Sequence, residues 1–272
     1  MINQGNLSIF IVHYSKLKDR REFLSRSLLN CGIQVRWITE KYAESFSESS
    51  FGSSNIFGVS SKVVGMDLGV NSRSLVFARR RARLQGYILF LRSYISKQPN
   101  TLTTGSLPNG KPLPRAQIEV QHMHLTALKA GVEGNSDWIL VLEDDALPID
   151  KAFNVLSQII KVKKPSRTWI NLNSGAGLQR TSSDPQPDHF GLFRVKPAST
   201  RCVTAYLVSQ DLAKKILELV NRHGIPNWLP IDVAYQAALR KLRAKSYWQE
   251  PVTFVQGSES GAYPSSLDGK RG

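Results

Sequence analysis

The sequence predicts an α/β fold with a mostly parallel sheet flanked by helices, and three observations carry that expectation. Residues 7–38 read as strand, helix and strand, a βαβ unit that needs parallel neighbours. Asp137-Trp138-Ile139-Leu140-Val141-Leu142 is the strongest strand signal in the chain and runs directly into Glu143-Asp144-Asp145. After it, strand and helix signals alternate to the C-terminus.

In order, residues 7–13 form a compact apolar run rich in β-branched side chains, as a buried strand requires. Residues 17–30 carry Phe23, Leu24, Leu28 and Leu29 at helical spacing, and Gly32 follows as a stop. Residues 34–38 give the second strand. Residues 43–61 are crowded with serine and read as a loop. Residues 71–96 read as a basic helix with Leu84, Tyr87, Ile88, Leu91 and Ile95 on one face and Arg79, Arg80, Arg81 and Arg83 before it. The prolines of 99–115 mark a connection. Further helices are expected at 116–130, 151–160, 210–223 and 231–242, and strands at 168–172, 201–209 and 252–255. With no internal repeat, one domain over 1–272 fits best, with 43–112 as a helical insertion.

Hydrophobic content of 41% and charged content of 21% exclude a wholly disordered chain. Thirty-six Lys and Arg against 21 Asp and Glu leave +15, which favours anionic partners: nucleic acid, an acidic membrane surface or phosphorylated substrates. The N-terminal residues lack a signal-peptide layout, and no apolar run approaches the roughly 20 residues of a membrane span. A cytoplasmic location is therefore expected, with Cys31 and Cys202 as free thiols. The basic helix leaves two readings open: its apolar face packs on the sheet, or it lies on the inner face of an anionic membrane.

Three adjacent carboxylates at the end of a buried strand repel one another unless a cation or hydrogen-bond donors neutralise them. Ligands bind at the carboxyl ends of strands in open α/β sheets, and hard oxygen donors suit Mg²⁺ or Mn²⁺ bridged to substrate phosphates. The plainer alternative is a solvated acidic turn before the next helix. His122 and His124, two apart on a helix, point in different directions and cannot chelate one ion. His124 shares a face with Gln117 and Gln121 that reaches the cleft, whereas His122 lies with Ile118 and Leu125 as a packing residue. Arg20 and Arg21, at the first strand-to-helix turn, either pair with donor phosphates or decorate an exposed helix start.

Several pieces in order, Ile11-Val12-His13-Tyr14-Ser15 through Asp19-Arg20-Arg21, Leu113-Pro114-Arg115 through His124, and Trp138 through Asp145, resemble glycosyltransferase family 25, the lipopolysaccharide and collagen galactosyltransferase family. Thr200-Arg201-Cys202-Val203-Thr204, Pro230-Ile231-Asp232 and Gln256-Gly257-Ser258 through Ser265-Ser266 are also similar to that family. The resemblance skips roughly 43–112. His13, Ser15, Gln117, Met123 and Val203-Thr204 depart from the family's usual residues.

The resemblance implies a GT-A-type, Rossmann-like fold and an inverting, metal-dependent transfer of a sugar, galactose first, from a UDP-sugar to a saccharide or glycolipid hydroxyl in surface polysaccharide synthesis. It implies Mn²⁺ or Mg²⁺ on Asp145 and Asp144, and donor contacts from Arg20, Arg21, Glu143, Asp144 and His124. Inversion needs a general base. Asp232 is the candidate, with Glu250 and Glu259 as rivals. A basic nucleic-acid-binding protein and a catalytically inactive scaffold of the same fold are the alternative readings.

Overall fold

The computed structural model describes residues 6–29, 34–49, 55–56, 59–60, 113–163, 165–175, 180, 184–195, 198–258 and 260–262. Cys31, the basic stretch at 71–98, Glu259, Ser265 and Ser266 lie outside the described residues.

The βαβ unit is present: β1 (Leu7–His13), α1 (Lys18–Leu29) and β2 (Arg36–Thr39), with β1 and β2 parallel. On its other edge β1 pairs in parallel with β6 (Trp138–Glu143), Val12 opposite Glu143. The same sheet continues through β10 (Ala205–Ser209), β8 (Thr168–Asn171), β12 (Lys245–Gln249) and β9 (Leu192–Val195), in the order β2-β1-β6-β10-β8-β12-β9. β2, β1, β6, β8 and β12 run one way, and β10 and β9 run against them, so the sheet is mixed. The expected strand at 201–209 is thus an antiparallel strand inserted between two parallel ones. β9 and β12 have no counterpart in the sequence reading.

Among the described residues four further helices flank the sheet: α2 (Arg115–Glu133), α3 (Ala152–Val162), α4 (Gln210–His223) and α5 (Ile231–Lys241). The alternation along β1 explains the layering. Leu7, Ile9 and Ile11 join Leu24 and Leu28 of α1 and Phe153 and Leu156 of α3 on one face. Phe10 and Val12 join Met123, Leu125 and Leu128 of α2, and α4 and α5, on the other. A strand covered on both faces must be apolar at every position. Ile139, Leu140, Val141 and Leu142 are accordingly fully buried, each burial contributing roughly 1.5–3 kcal/mol.

β7 (Ala146–Pro148) leaves the acidic triplet and pairs antiparallel with β13 (Phe254–Gln256), Ala146 opposite Gln256. This small ribbon folds the C-terminal segment back over the end of β6. The start of the insertion is also anchored, because β3 (Glu48–Ser49) pairs with β11 (Ile225–Pro226); within the insertion β4 (Asn55–Ile56) pairs only with β5 (Val59–Ser60) among the described residues. Its far end is tied nearby, where Leu113 N–H donates to the Asn227 carbonyl at 2.7 Å.

α2 approaches the sheet closely at Gly131, where a Cβ would stand 2.5 Å from Ile139 Cδ1 and 2.9 Å from its Cγ2. Alanine favours an exposed helix by about 1 kcal/mol over glycine. Here the stiff, fully buried Ile139 cannot yield, so Gly131→Ala is expected to destabilise the chain by about 1–3 kcal/mol, read from the urea midpoint.

Candidate functional site

From the carboxyl end of β1 the chain passes through α1 to β2 on one side, and from that of β6 it passes through α3 to β8 on the other, so the strand order reverses between β1 and β6. The carboxyl ends of β1 and β6 therefore diverge around a crevice, the topological switch point where open α/β sheets bind ligands. A cleft there is lined by Val12, Tyr14 and Leu17 and by Val120 and Met123 of α2. Arg20, Glu143, Asp144 and Asp145 supply its charged lining, together with Gln256 and Ser258 of the C-terminal segment.

The three carboxylates have different surroundings. Asp144 is enclosed by donors: Arg20 Nη1 bonds Oδ1 at 2.9 Å, and Oδ2 meets His13 Nδ1 at 2.9 Å and the Tyr14 N–H at 3.3 Å. Arg20 and Asp144 are both buried. A buried ion pair is tolerable only while both partners remain, so Arg20→Ala is expected to cost about 3–5 kcal/mol. Arg20→Met combined with Asp144→Leu is expected to recover most of that loss in the same melt.

Arg21 parts company with Arg20. It is exposed, and its guanidinium lies 4.9 Å from the centre of the Trp37 ring, so it does not line the cleft.

Asp145 is buried, with Oδ2 accepting from Ser258 Oγ at 2.8 Å and standing 4.0 Å from Arg20 Nη1. Its carbonyl accepts the Gly257 N–H at 2.8 Å. Oδ1 accepts no hydrogen bond among the described residues. Burial, and then the Glu143 charge, push its pKa up to about 6. Glu143 bonds Thr204 Oγ1 through Oε2 at 3.0 Å, and its Oε1 lies 3.4 Å from His124 Nε2.

Among the described residues no three His, Cys, Asp or Glu side chains converge as a complete metal site. The donor set at the cleft is partial: hard oxygens, one uncommitted oxygen on Asp145, and a carboxylate crowded by like charge. That set fits Mg²⁺ or Mn²⁺, which keep water and are usually bound by one or two carboxylates plus substrate phosphates. Asp144 enters as the partner of Arg20 and His13.

His124 has no exposed surface, so it meets the cleft through Glu143. His122 is half-buried against Phe46 and 3.9 Å from Glu48, its pKa lowered chiefly by burial. The two imidazoles do diverge. Gln117 is half-exposed and makes no side-chain contact with the carboxylates among the described residues.

Asp232 is the second residue of α5, whose N-cap is Pro230 without a side-chain cap bond. Burial raises its pKa, the Glu143 charge raises it further, and the Val233 N–H and His124 act the other way. Asp232 is thus within electrostatic reach of Glu143 and His124. Glu250 is instead engaged by the buried Arg201, whose guanidinium sits 4.4 Å from the centre of the Trp248 ring. Cys202 is a free thiol beside Thr204, its Sγ 3.3 Å from Oγ1, and burial pushes its pKa to about 12.

No protein-family model matches this chain, and no curated protein matches it. The site therefore stands on its own chemistry.

Sequence reasoning did not assign roles to His13, Thr204, Tyr206 or Ser258. Ser258 lay in a segment already noted for its similarity, but its bond to Asp145 depends on the β7–β13 ribbon. No helix among the described residues is long and apolar enough to cross a membrane.

Proposed function

We propose that this chain is a GT-A-type, metal-dependent inverting glycosyltransferase. It moves a sugar, galactose first, from a UDP-sugar to a hydroxyl of a saccharide or glycolipid. The observation that carries the reading is the acidic cluster Glu143-Asp144-Asp145 at the switch point between β1 and β6, with the Arg20 cation set among the carboxylates. The resemblance to glycosyltransferase family 25 supports it, and its most specific piece is this same strand and triplet.

Asp145 would hold Mn²⁺ or Mg²⁺, with Glu143 beside it. When bound, the ion supplies charge to the leaving diphosphate. The protein's own residues do the rest. Arg20 neutralises Asp144 and keeps the charged lining of the cleft in place. Val12, Leu17, Val120 and Met123 form apolar walls that limit water. Asp232 takes the proton of the acceptor hydroxyl as that oxygen bonds to the anomeric carbon and the bond from that carbon to the UDP oxygen breaks, with inversion.

Slow donor hydrolysis does not require the acceptor, so a panel of UDP-sugars with and without Mn²⁺ tests the reading. Mn²⁺-dependent release of UDP from one sugar above the others is expected. Polynucleotide binding with a steep salt dependence and no saturable UDP binding would favour the nucleic-acid reading. A folded protein that binds UDP and turns over no donor would be the inactive scaffold.

A further inference from the structure

Behind Glu143 lies a buried polar chain with no surface of its own. Tyr206 Oη is 3.1 Å from His124 Nδ1, and His124 Nε2 is 3.4 Å from Glu143 Oε1. Tyr206 and His124 are both wholly enclosed, while the Glu143 side chain keeps 22% of its surface exposed. The chain is thus a route from the core to the cleft.

We propose that Tyr206 and His124 are positioning residues for Glu143: the His124 ring carries its proton on Nε2 and aims it at the carboxylate, and the Tyr206 hydroxyl donates to the bare Nδ1 and holds the ring in place. The effect on turnover rests on the transferase reading. The tautomer does not.

A neutral imidazole carries one N–H. Placed on Nδ1, it would leave the bare Nε2 lone pair facing a carboxylate oxygen, two acceptors in a buried contact with no proton between them. Placed on Nε2, it gives Glu143 a donor and leaves Nδ1 to accept from the tyrosine, whose hydroxyl also neighbours that of Tyr235, so both ring nitrogens are matched. Burial raises the Tyr206 pKa well above its ordinary value, which keeps the hydroxyl protonated as a donor.

Tyr206 is also a rigid support. It lies on β10 in the middle of the sheet, stacked on Trp169 at 4.2 Å and 13° and edge-on to Tyr235 at 5.9 Å. His124 stacks on Tyr206 in turn, at 5.8 Å. From the other side Thr204 Oγ1 donates to Glu143 Oε2. The carboxylate is therefore held at both oxygens from behind, and its remaining lone pairs face the cleft. The 3.4 Å link to Nε2 is long, as such links are before substrate tightens them.

The test uses the full chain labelled with ¹⁵N-histidine, with the His124 signals assigned by their loss in His124→Gln. At neutral pH, Nε2 is expected to be protonated and Nδ1 bare, and Glu143→Gln, whose amide can donate to a bare Nε2, is expected to let the Nδ1–H form appear. Outer partners of this kind typically carry 10–100-fold of activity, so Tyr206→Phe and His124→Leu should lower kcat by about that factor. UDP affinity should change less, and His124→Gln, whose amide N–H reaches the Nε2 position, should retain most turnover. A protonated Nδ1 in the wild type, or full turnover in His124→Leu, overturns the proposal. If no UDP-sugar is turned over but the Nδ1–H form appears in Glu143→Gln, the relay stands and the transferase reading falls.

Discussion

Asp145→Ala is expected to abolish Mn²⁺-dependent UDP binding and to leave the chain folded, and Asp145→Asn should fail in the same way. The asparagine keeps the shape and the Ser258 contact but loses the charge that holds a hard cation. Stability should move in the opposite direction. In the folded protein Asp145 titrates at about 6, above its ordinary value of 3.8.

A carboxyl group whose folded pKa is raised binds more protons folded than unfolded between those two values. Its contribution therefore falls as pH rises from about 4 to 6 and stays unfavourable above that window. At neutral pH the penalty is a few kcal/mol at most, roughly 1.4 kcal/mol per pKa unit. Asp145→Asn should accordingly melt higher than the wild type at pH 7 in the presence of a chelator, with the two converging toward pH 4. Mn²⁺ with UDP should then raise the melting temperature of the wild type and not of the variant. Equal UDP affinity in a Mn²⁺ titration of the two proteins would remove Asp145 from the site.

The frame of the molecule was legible because its strands are buried on both faces. β1 and β6 are apolar at nearly every position, and the helix expected at 210–223 is Gln210–His223 because its buried stripe of Leu212, Ile216, Leu219 and Val220 keeps the helical period. β12 was not legible. Its sequence Lys-Ser-Tyr-Trp-Gln alternates poorly, since the buried Ser246 and Gln249 are satisfied by remote carbonyls, Ser199 at 2.6 Å and Phe190 at 3.2 Å. A polar residue satisfied by a distant partner looks, in sequence, like a loop residue.

The site divides the same way. The triplet could be read because charge against a buried strand is locally anomalous. The different fates of Arg20 and Arg21 could not, because helix phase decides which guanidinium turns toward Asp144 and which lies over Trp37. The depth of His124 depends on β10 entering the sheet antiparallel beside β6, a long-range pairing that no window of sequence contains.

Asp232→Asn is expected to cut turnover by roughly 10²–10⁴-fold, the usual range for a lost general base. UDP binding should change little, because Asp232 sits on α5 and is absent from the lining of the cleft at Asp145. An ordinary carboxylate is a weak base at neutral pH. Burial, with the Glu143 charge behind it, makes Asp232 a stronger one by raising its pKa. The base must be ionised to work, so turnover should fall as pH drops through that raised pKa, and this acid limb should be missing from the residual activity of the variant.

Stability separates chemistry from unfolding here as well. The raised pKa is a penalty carried above the unfolded value, so removing the charge should leave the melting temperature at pH 7 unchanged or higher. Glu250→Gln makes the contrast. It removes the carboxylate paired with the buried Arg201, leaving the Gln249 carbonyl and the more distant Asp184 charge, and should lower stability while sparing the acid limb. If Asp232→Asn turned over normally, the base would be Glu250 or Glu259, and the pH profile of each glutamine variant would then show which.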